Sequence, residues 1–306
     1  MSLQAPDPSF VSEQLAAAGF HHQPSLLRME LHEEKWLVRL PGQRLAWFAA
    51  SRRGLKLLDI ERRVLRLLEA RCSFSAPRLL FESRDGEFDI RTMVPGSADP
   101  LASHELVRGS TKHAVRMGAA IGAMLAEQHS KITAADVSPW LPTRPLWPEP
   151  RDLVRERLPL VIDDSRLIAR AMAVMDFYEQ VSIDEADRVL VHADVGFHNL
   201  AIDPESRTVN GIFDYESAAW ADRHHDFRYL VFASDRYDLF EVASSAYESV
   251  VGRPIHRDRV FLYNAACAIT FLAFRAGVKG EERWCGRTLA EDLQWSEHAV
   301  TKVLGD

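Results

Sequence analysis

The fourteen residues "VLVHADVGFHNLAI", Val189 to Ile202, set His192, Asp194 and Asn199 between aliphatic neighbours. A buried strand cannot hold three unpaired polar side chains, because each desolvated group without a partner costs about 1–3 kcal/mol. The run must therefore break into strand, loop and strand. "RVLV" leads in, Gly196 opens the loop, and "NLAID" leads out. A further aliphatic stretch, "TVNGIFD", follows through the turn "PESR" and ends on Asp214, fifteen residues after Asn199. If the two strands pair as a hairpin, Asn199 and Asp214 come to the same end of the β segment. An amide carbonyl beside a carboxylate suits magnesium, a hard ion that takes few protein ligands and keeps the rest for water and phosphate oxygens. Asp194 then remains as a base. Turn capping is the alternative role for such Asp and Asn residues.

The rest of the chain can support such a site. Its 306 residues, 47% hydrophobic and 26% charged, suffice for two domains or one two-lobed fold with a substantial core. The formal net charge of -7 argues against nucleic acid as a partner and for a cationic or amine-bearing one. Cys72, Cys267 and Cys285 are odd in number and far apart, so they outline neither a disulfide framework nor a zinc site, and reducing cytosol is the simplest setting. The opening "MSLQAPDPSF" lacks the order of a signal peptide, and the apolar run "AACAITFLAF" is shorter than the roughly 20 residues of a membrane span. A cytoplasmic protein with no membrane contact is expected. The adjacent pairs His21-His22 and His224-His225 point apart on a strand or helix, so no shared metal is expected from them.

Two lobes can be traced in the pattern. Ser9 to Ala18 reads as a short helix, and "SLLRMEL", "KWLVRLP" and "RLAWFAA" read as a three-stranded meander. Helical spacing from Leu55 to Glu69 places Glu61 on the apolar face with Leu57, Val64, Leu65 and Leu68. Two more strands, "RLLFE" and "EFDIRTM", flank an Asp85-Gly86 turn, and "VPGSADP" then reads as a linker. The expectation is an α+β fold with a small antiparallel-sheet lobe over residues 1–94 and a larger, mainly helical lobe over 95–306. In the second lobe Thr111 to Lys131 carries Gly118 and Gly122 on one stripe for close packing, and Leu153 to Gln180 reads as helical. Three or four helices are expected after Asp222.

"HADVGFHN", "IFDYE" and "HDF", in that order and spacing, resemble the catalytic loop and metal-binding strand end of the aminoglycoside phosphotransferase and choline kinase group, which has a protein-kinase-like fold. The likeness extends over nearly the whole chain, since the meander, the Glu61 helix, the "MVPG" hinge and the helical half come in the family's order. By this resemblance Asp194 accepts the proton of a substrate hydroxyl, His192 supports the loop, and Asn199 and Asp214 hold Mg2+ against the phosphates of ATP or GTP. Asp226 would bond the loop backbone, with helix capping as its alternative role. Glu61 and the hinge residues Met93 and Val94 would belong to the nucleotide site.

Two features depart from that family. The phosphate-covering loop reads His32-Glu33-Glu34, and the third strand has Ala46, Trp47 and Phe48 where the family places a lysine. Glu61 needs a cation, and Arg39 and Arg44 are the candidates. For the acceptor, Tyr215, Glu216, Trp220 and Asp222 lie nearest the site in sequence. Trp284 and Trp295 accompany Glu281, Glu282, Glu291 and Asp292 further on, as a cation-attracting set or as a solvated helix face with core tryptophans. The leading expectation is a small-molecule kinase acting on a hydroxyl of an amine, amino alcohol, aminoglycoside or sugar-like compound. The alternative is a catalytically impaired relative that binds a nucleotide or partner.

Overall fold

A computed structural model describes residues 5–32, 34–231, 237–277, 283 and 287–305. Asp7 caps helix α1 (Pro8–Ala17), and the strands β1 (Met29–His32), β2 (Lys35–Leu40) and β3 (Arg44–Ala49) follow. Ser51 starts α2 (Arg52–Arg71) by accepting from the backbone N–H groups of Arg53 and Gly54, both at 3.1 Å. The strands β4 (Leu79–Glu82) and β5 (Phe88–Thr92) complete one antiparallel sheet of order β1-β2-β3-β5-β4.

Alternation gives that sheet two unlike faces. Val38, Leu40, Ala46, Phe48, Phe88 and Ile90 pack with Val11 and Leu15 of α1 in an apolar core. The opposite face bears Lys35, Asp89 and Arg91, all buried, and meets Glu61 and Arg62 of α2 through ion pairs. A buried charge survives only with partners, so this face is specified by pairing where the other is specified by volume.

Beyond Thr92 the chain presses onto the hairpin of β7 (Leu200–Ile202) and β8 (Val209–Ile212): Ser97 and Ile202 exchange backbone hydrogen bonds of 2.8 and 2.7 Å. Gly96 makes this possible, since it sits at φ +135° and a Cβ there would lie 2.8 Å from the Ile202 carbonyl oxygen. The helical part holds α3 (Pro100–Gly109), α4 (Thr111–Lys131), α5 (Ala134–Val137), α6 (Arg151–Arg157), α7 (Ser165–Glu179), α8 (Asp238–Val251), α9 (Arg257–Phe274) and α10 (Leu289–Leu304). Gly118 and Gly122 lie where α4 meets the backbone of α8, and a Cβ on Gly122 would overlap the Ala243 carbonyl oxygen. The apolar helix α9 is covered by residues of α6, α7 and α10.

The result is a two-lobed α+β fold with an N-terminal antiparallel sheet and a larger, mainly helical C-terminal part. Two details differ from expectation. The helical stretch from Leu153 breaks at Pro159, which lacks an N–H, and restarts where Asp164 accepts from Arg166 N at 2.8 Å. A strand not expected, β9 (Ala219–Asp222), pairs antiparallel with β6 (Arg188–Val191).

Candidate active site

β6 ends at Val191 and delivers His192, Ala193 and Asp194 into a loop. Ala193 lies at φ +68°, in the left-handed region that a residue with a Cβ seldom occupies. Asp226 holds it there, accepting from His192 N at 3.0 Å and Ala193 N at 2.6 Å, while His129 Nε2 lies 2.9 Å from the same carboxylate. From the other side the Arg228 guanidinium donates to the Ala193 carbonyl. His192 Nδ1 accepts from Asp194 N at 3.2 Å, so its Nε2 carries the proton donated to the Phe213 carbonyl at 2.9 Å. His192 thus ties the loop to the strand end that carries Asp214.

The β7-β8 register, Leu200 opposite Ile212, with Phe213 N donating to Asn199 O at 3.1 Å, sets Asn199 and Asp214 at one end of the hairpin. Asn199 Nδ2 donates to Asp194 O at 3.0 Å and Asp194 Oδ2 at 2.8 Å, which leaves its carbonyl oxygen for another partner. His198 Nε2 also lies 3.1 Å from Asp194 Oδ2. Burial pushes the Asp194 carboxyl up, but His198, together with Arg228 and His192, outweighs burial and holds it down at about 2.

Asp214 takes φ +68°, ψ +67°, and faces the sheet lobe. Burial pushes it up to about 6, with Lys35 opposing and Glu61 and Asp194 adding to the rise. Glu216 is pushed up to about 7 by burial and by Asp214, against Lys35. Acid has gathered here beyond what Lys35 neutralises. An all-oxygen set comprising the Asn199 carbonyl and the Asp214 carboxylate, short of positive charge, fits Mg2+.

On the sheet side the cation of Glu61 is not an arginine of β2 or β3. Arg39 is exposed and pairs with Glu30 at 3.6 Å, and Arg44 donates to Pro41 O at 2.8 Å and lies over the Phe20 ring. Arg39 is the fourth residue after Lys35, about 13 Å along the strand, which is too far from α2. Instead Lys35, the first residue of β2 and the cross-strand partner of Ala49, reaches Glu61 Oε2 at 3.6 Å and also pairs with Glu216. Arg91 Nη1 meets Glu61 Oε2 at 2.6 Å, and Glu61 Oε1 accepts from Tyr215 N at 3.2 Å. The lysine expected on the third strand is carried by the neighbouring strand, its ammonium 4.7 Å from the Trp47 ring centre. Glu34 is engaged by its neighbours, its carboxylate accepting from the Ser51 hydroxyl and its carbonyl from Ala50 N; Glu33 lies outside the described residues. Met93 is partly exposed at the hinge, and Val94 packs against Gly211 of β8.

The four acceptor candidates scatter. Tyr215 is wholly buried, with its hydroxyl donating to Gln128 Oε1 at 2.9 Å, so it offers a substrate nothing. Asp222 is equally buried, accepting from Tyr263 Oη at 2.6 Å and Arg259 Nη1 at 3.1 Å. Both are structural, because their polar atoms are consumed inside the protein. Glu216 belongs to the Lys35 cluster, and Trp220 lines a separate cleft with Tyr178, His225 and Tyr263. Trp295 packs under Arg287, Asp292 is buried against Arg287 and Arg275, and Glu291 caps α10; Glu281, Glu282, Trp284 and Cys285 lie outside the described residues. The sequence reading missed Lys35, Arg91 and His198. The signal for Lys35 was present in "KWLVRLP", where Lys35 shares a strand face with Leu37, in front of a helix carrying a buried acid.

A catalytic-type loop, an Asn-Asp pair and a lysine-glutamate pair thus converge between the two lobes, and the model of the phosphotransferase enzyme family matches residues 15–252. The chain belongs to this family. Among solved structures, the phosphotransferase resembles the GDP complex of wild-type aminoglycoside 2'-phosphotransferase-IIIa, at TM-score 0.69 and 16% identity over 97% of this chain and 99% of that one. It also resembles the macrolide 2'-phosphotransferase MphH from Brachybacterium faecium, at TM-score 0.62 and 18% identity over 98% of each chain. The streptomycin-ATP-APH(2")-IIa ternary complex matches at TM-score 0.62 and 13% identity over 98% of this chain and 99% of that one. At these identities the likeness is one of fold, and it gives the phosphotransferase a kinase-like architecture. Among curated proteins none matches the chain.

Proposed function

We propose that the protein is a kinase that moves the γ-phosphoryl group of a nucleoside triphosphate, with Mg2+, to a hydroxyl of a small molecule such as an amine, amino alcohol, aminoglycoside or sugar-like compound. The observation that carries this reading is the Lys35-Glu61 pair standing beside Asp214, across from the Asp194-Asn199 loop. The similar structures that hold GDP or ATP support a nucleotide without choosing between the two.

In this reading residues 1–94 cover the nucleotide, Met93 and Val94 line its hinge side, and residues 95–306 supply transfer and acceptor binding. A cytoplasmic setting, where nucleoside triphosphates are available, fits. Lys35, released from Glu216, meets the phosphates while Glu61 orients it. The acceptor oxygen forms a bond to the γ-phosphorus as the bond to the β-γ bridging oxygen breaks, and the diphosphate leaves with that electron pair. Asp194 takes the hydroxyl proton. Asn199 and Asp214 would hold Mg2+, which when bound would supply positive charge against the phosphate oxygens. A protein that only binds nucleotide or partner was favoured by a third strand without lysine. That motive weakens with Lys35 beside Glu61.

Thermal shift with ATP and with GTP, with and without magnesium, tests the nucleotide site on wild type and Asp214→Ala. A magnesium-dependent rise lost in the variant is expected, and no rise with either nucleotide would sink the reading. Diphosphate release over a panel of hydroxylated amines and sugars tests turnover, and Asp194→Ala turning over as fast as wild type would remove it as the base.

A further inference from the structure

The base assigned above is not alone on its loop. Both donors that reach Asp194, Asn199 Nδ2 at 2.8 Å and His198 Nε2 at 3.1 Å, converge on Oδ2, and among the described residues Oδ1 has no hydrogen-bond partner. A carboxylate held by one oxygen presents the other in a fixed direction. His198 reaches back over the loop only because residue 196 is glycine, since a Cβ there would overlap Cε1 of the imidazole and stand 2.7 Å from its Nδ1. Gly196 has an extended φ of -110°, so backbone conformation does not demand glycine and the space taken by His198 does. His104 on α3 packs edge-on to the intervening Phe197 at 4.7 Å, and Tyr229 borders the His198 ring at 6.2 Å.

We propose that His198 is a positioning residue for phosphoryl transfer, its Nε2–H fixing Oδ2 of Asp194 so that Oδ1 meets the acceptor hydroxyl, and that Gly196 is the space this contact requires. The proposal rests on the reading of Asp194 as base. The charged and titratable groups around His198 are Asp194 and Asp214 from the site, His104 from α3, and Arg287 ahead of α10. Neutral His198 keeps the contact as the Nε2–H tautomer, so positioning does not depend on its charge.

Four variants and one spectroscopic measurement test this. His198→Ala is expected to lower kcat about tenfold with KM for the nucleotide within about twofold. His198→Gln, which returns an N–H donor without a charge, should recover to within about threefold of wild type. Gly196→Ala should match His198→Ala by displacing the ring, and the double variant should be no slower than either single one. Independently of turnover, ring 15N NMR of neutral His198 should show the Nε2–H tautomer in wild type and a mixture of tautomers in Asp194→Ala. The proposal is overturned by a His198→Ala enzyme with wild-type kcat, by His198→Gln as slow as His198→Ala, by additive losses in the double variant, or by the same tautomer mixture in wild type and Asp194→Ala. If the wild type transfers phosphate to no acceptor, or Asp194→Ala is fully active, the kinase reading itself fails, and the tautomer measurement still decides whether His198 engages Asp194.

Discussion

Lys35 Nζ lies 3.6 Å from Glu61 Oε2, although Lys35 opens β2 and the family's lysine belongs to the third strand. The antiparallel register explains the exchange: Lys35 stands opposite Ala49, so a side chain from either residue can reach the same point over α2. With two glutamates and Asp214 around it, the ammonium stays charged, pushed above its ordinary value although burial opposes this.

Lys35→Met should therefore abolish most of the nucleotide-induced thermal shift while costing only about 1–3 kcal/mol in urea denaturation, because Arg91 still pairs Glu61 and the other acids can take up protons. Lys35→Arg should not rescue binding, since a planar, bulkier head does not fit between Trp47 and Glu216. An unchanged nucleotide shift in Lys35→Met would move the phosphate contact elsewhere.

The same excess of acid predicts a pH dependence. Asp214, at about 6, and Glu216, at about 7, bind protons more tightly in the folded state than in the unfolded chain. Their contribution to stability is present below the ordinary carboxylate range, about 4, and is lost as pH rises through 6 to 7. Asp194 and Glu61, both held down at about 2, act oppositely and only below about pH 4. Ligand-free protein should thus lose on the order of 2–4 kcal/mol between pH 5 and pH 8 as Asp214 and Glu216 ionise. Glu216→Gln should flatten the slope of Tm against pH, and added magnesium should do the same. An identical slope in Glu216→Gln would show that the ionisation of Glu216 is not coupled to folding.

How much of this was legible depended on whether a residue's task is local. The loop around Asp194, its spacing to Asn199 and the hairpin to Asp214 are set within two dozen residues, and period and turn chemistry suffice to place them. Glu61 as an inward acid also follows from helical spacing alone. Its partners do not: Lys35 and Arg91 come from two non-adjacent strands, and only the sheet order brings them to one helix. Tyr215 and Asp222 misled for the converse reason. Nearness in sequence to Asp214 says nothing about which side chains turn into the core, and β9, whose pairing with β6 is long-range, decides that for Asp222. His198 was hidden because a ring folding back over a glycine leaves no periodic trace.

The grip of Asp226 on the loop can be tested without substrate. Its carboxylate accepts from two consecutive backbone N–H groups and faces His129, and Ala193 would not otherwise hold φ +68°. Asp226→Asn places an amide among these donors, leaving at least one unsatisfied. A loss of about 2–3 kcal/mol by denaturation and a kcat lowered by at least about tenfold are expected. Wild-type values on both measures would mean that the loop is held without Asp226, by Arg228 and the bonds of His192 and Asn199.

The first turn of α2 clamps the chain just ahead of Lys35. A Cβ on Gly54 would overlap the Glu34 carbonyl oxygen and come within 3.5 Å of Ala49 Cα, so the residue just ahead of the lysine and the end of β3 opposite it both lie against this glycine. Backbone cannot swing aside as a flexible side chain can, and Gly54→Ala should push the β1-β2 turn, and Lys35 with it, off α2. A cost of about 1–3 kcal/mol is expected from overpacking, together with weaker nucleotide binding. Gly109→Ala is the control, because nothing lies within 4 Å of a Cβ there and its stability should stay within about 1 kcal/mol of wild type. Equal Tm values and equal nucleotide shifts for the two variants would mean that Lys35 is not held in place from α2.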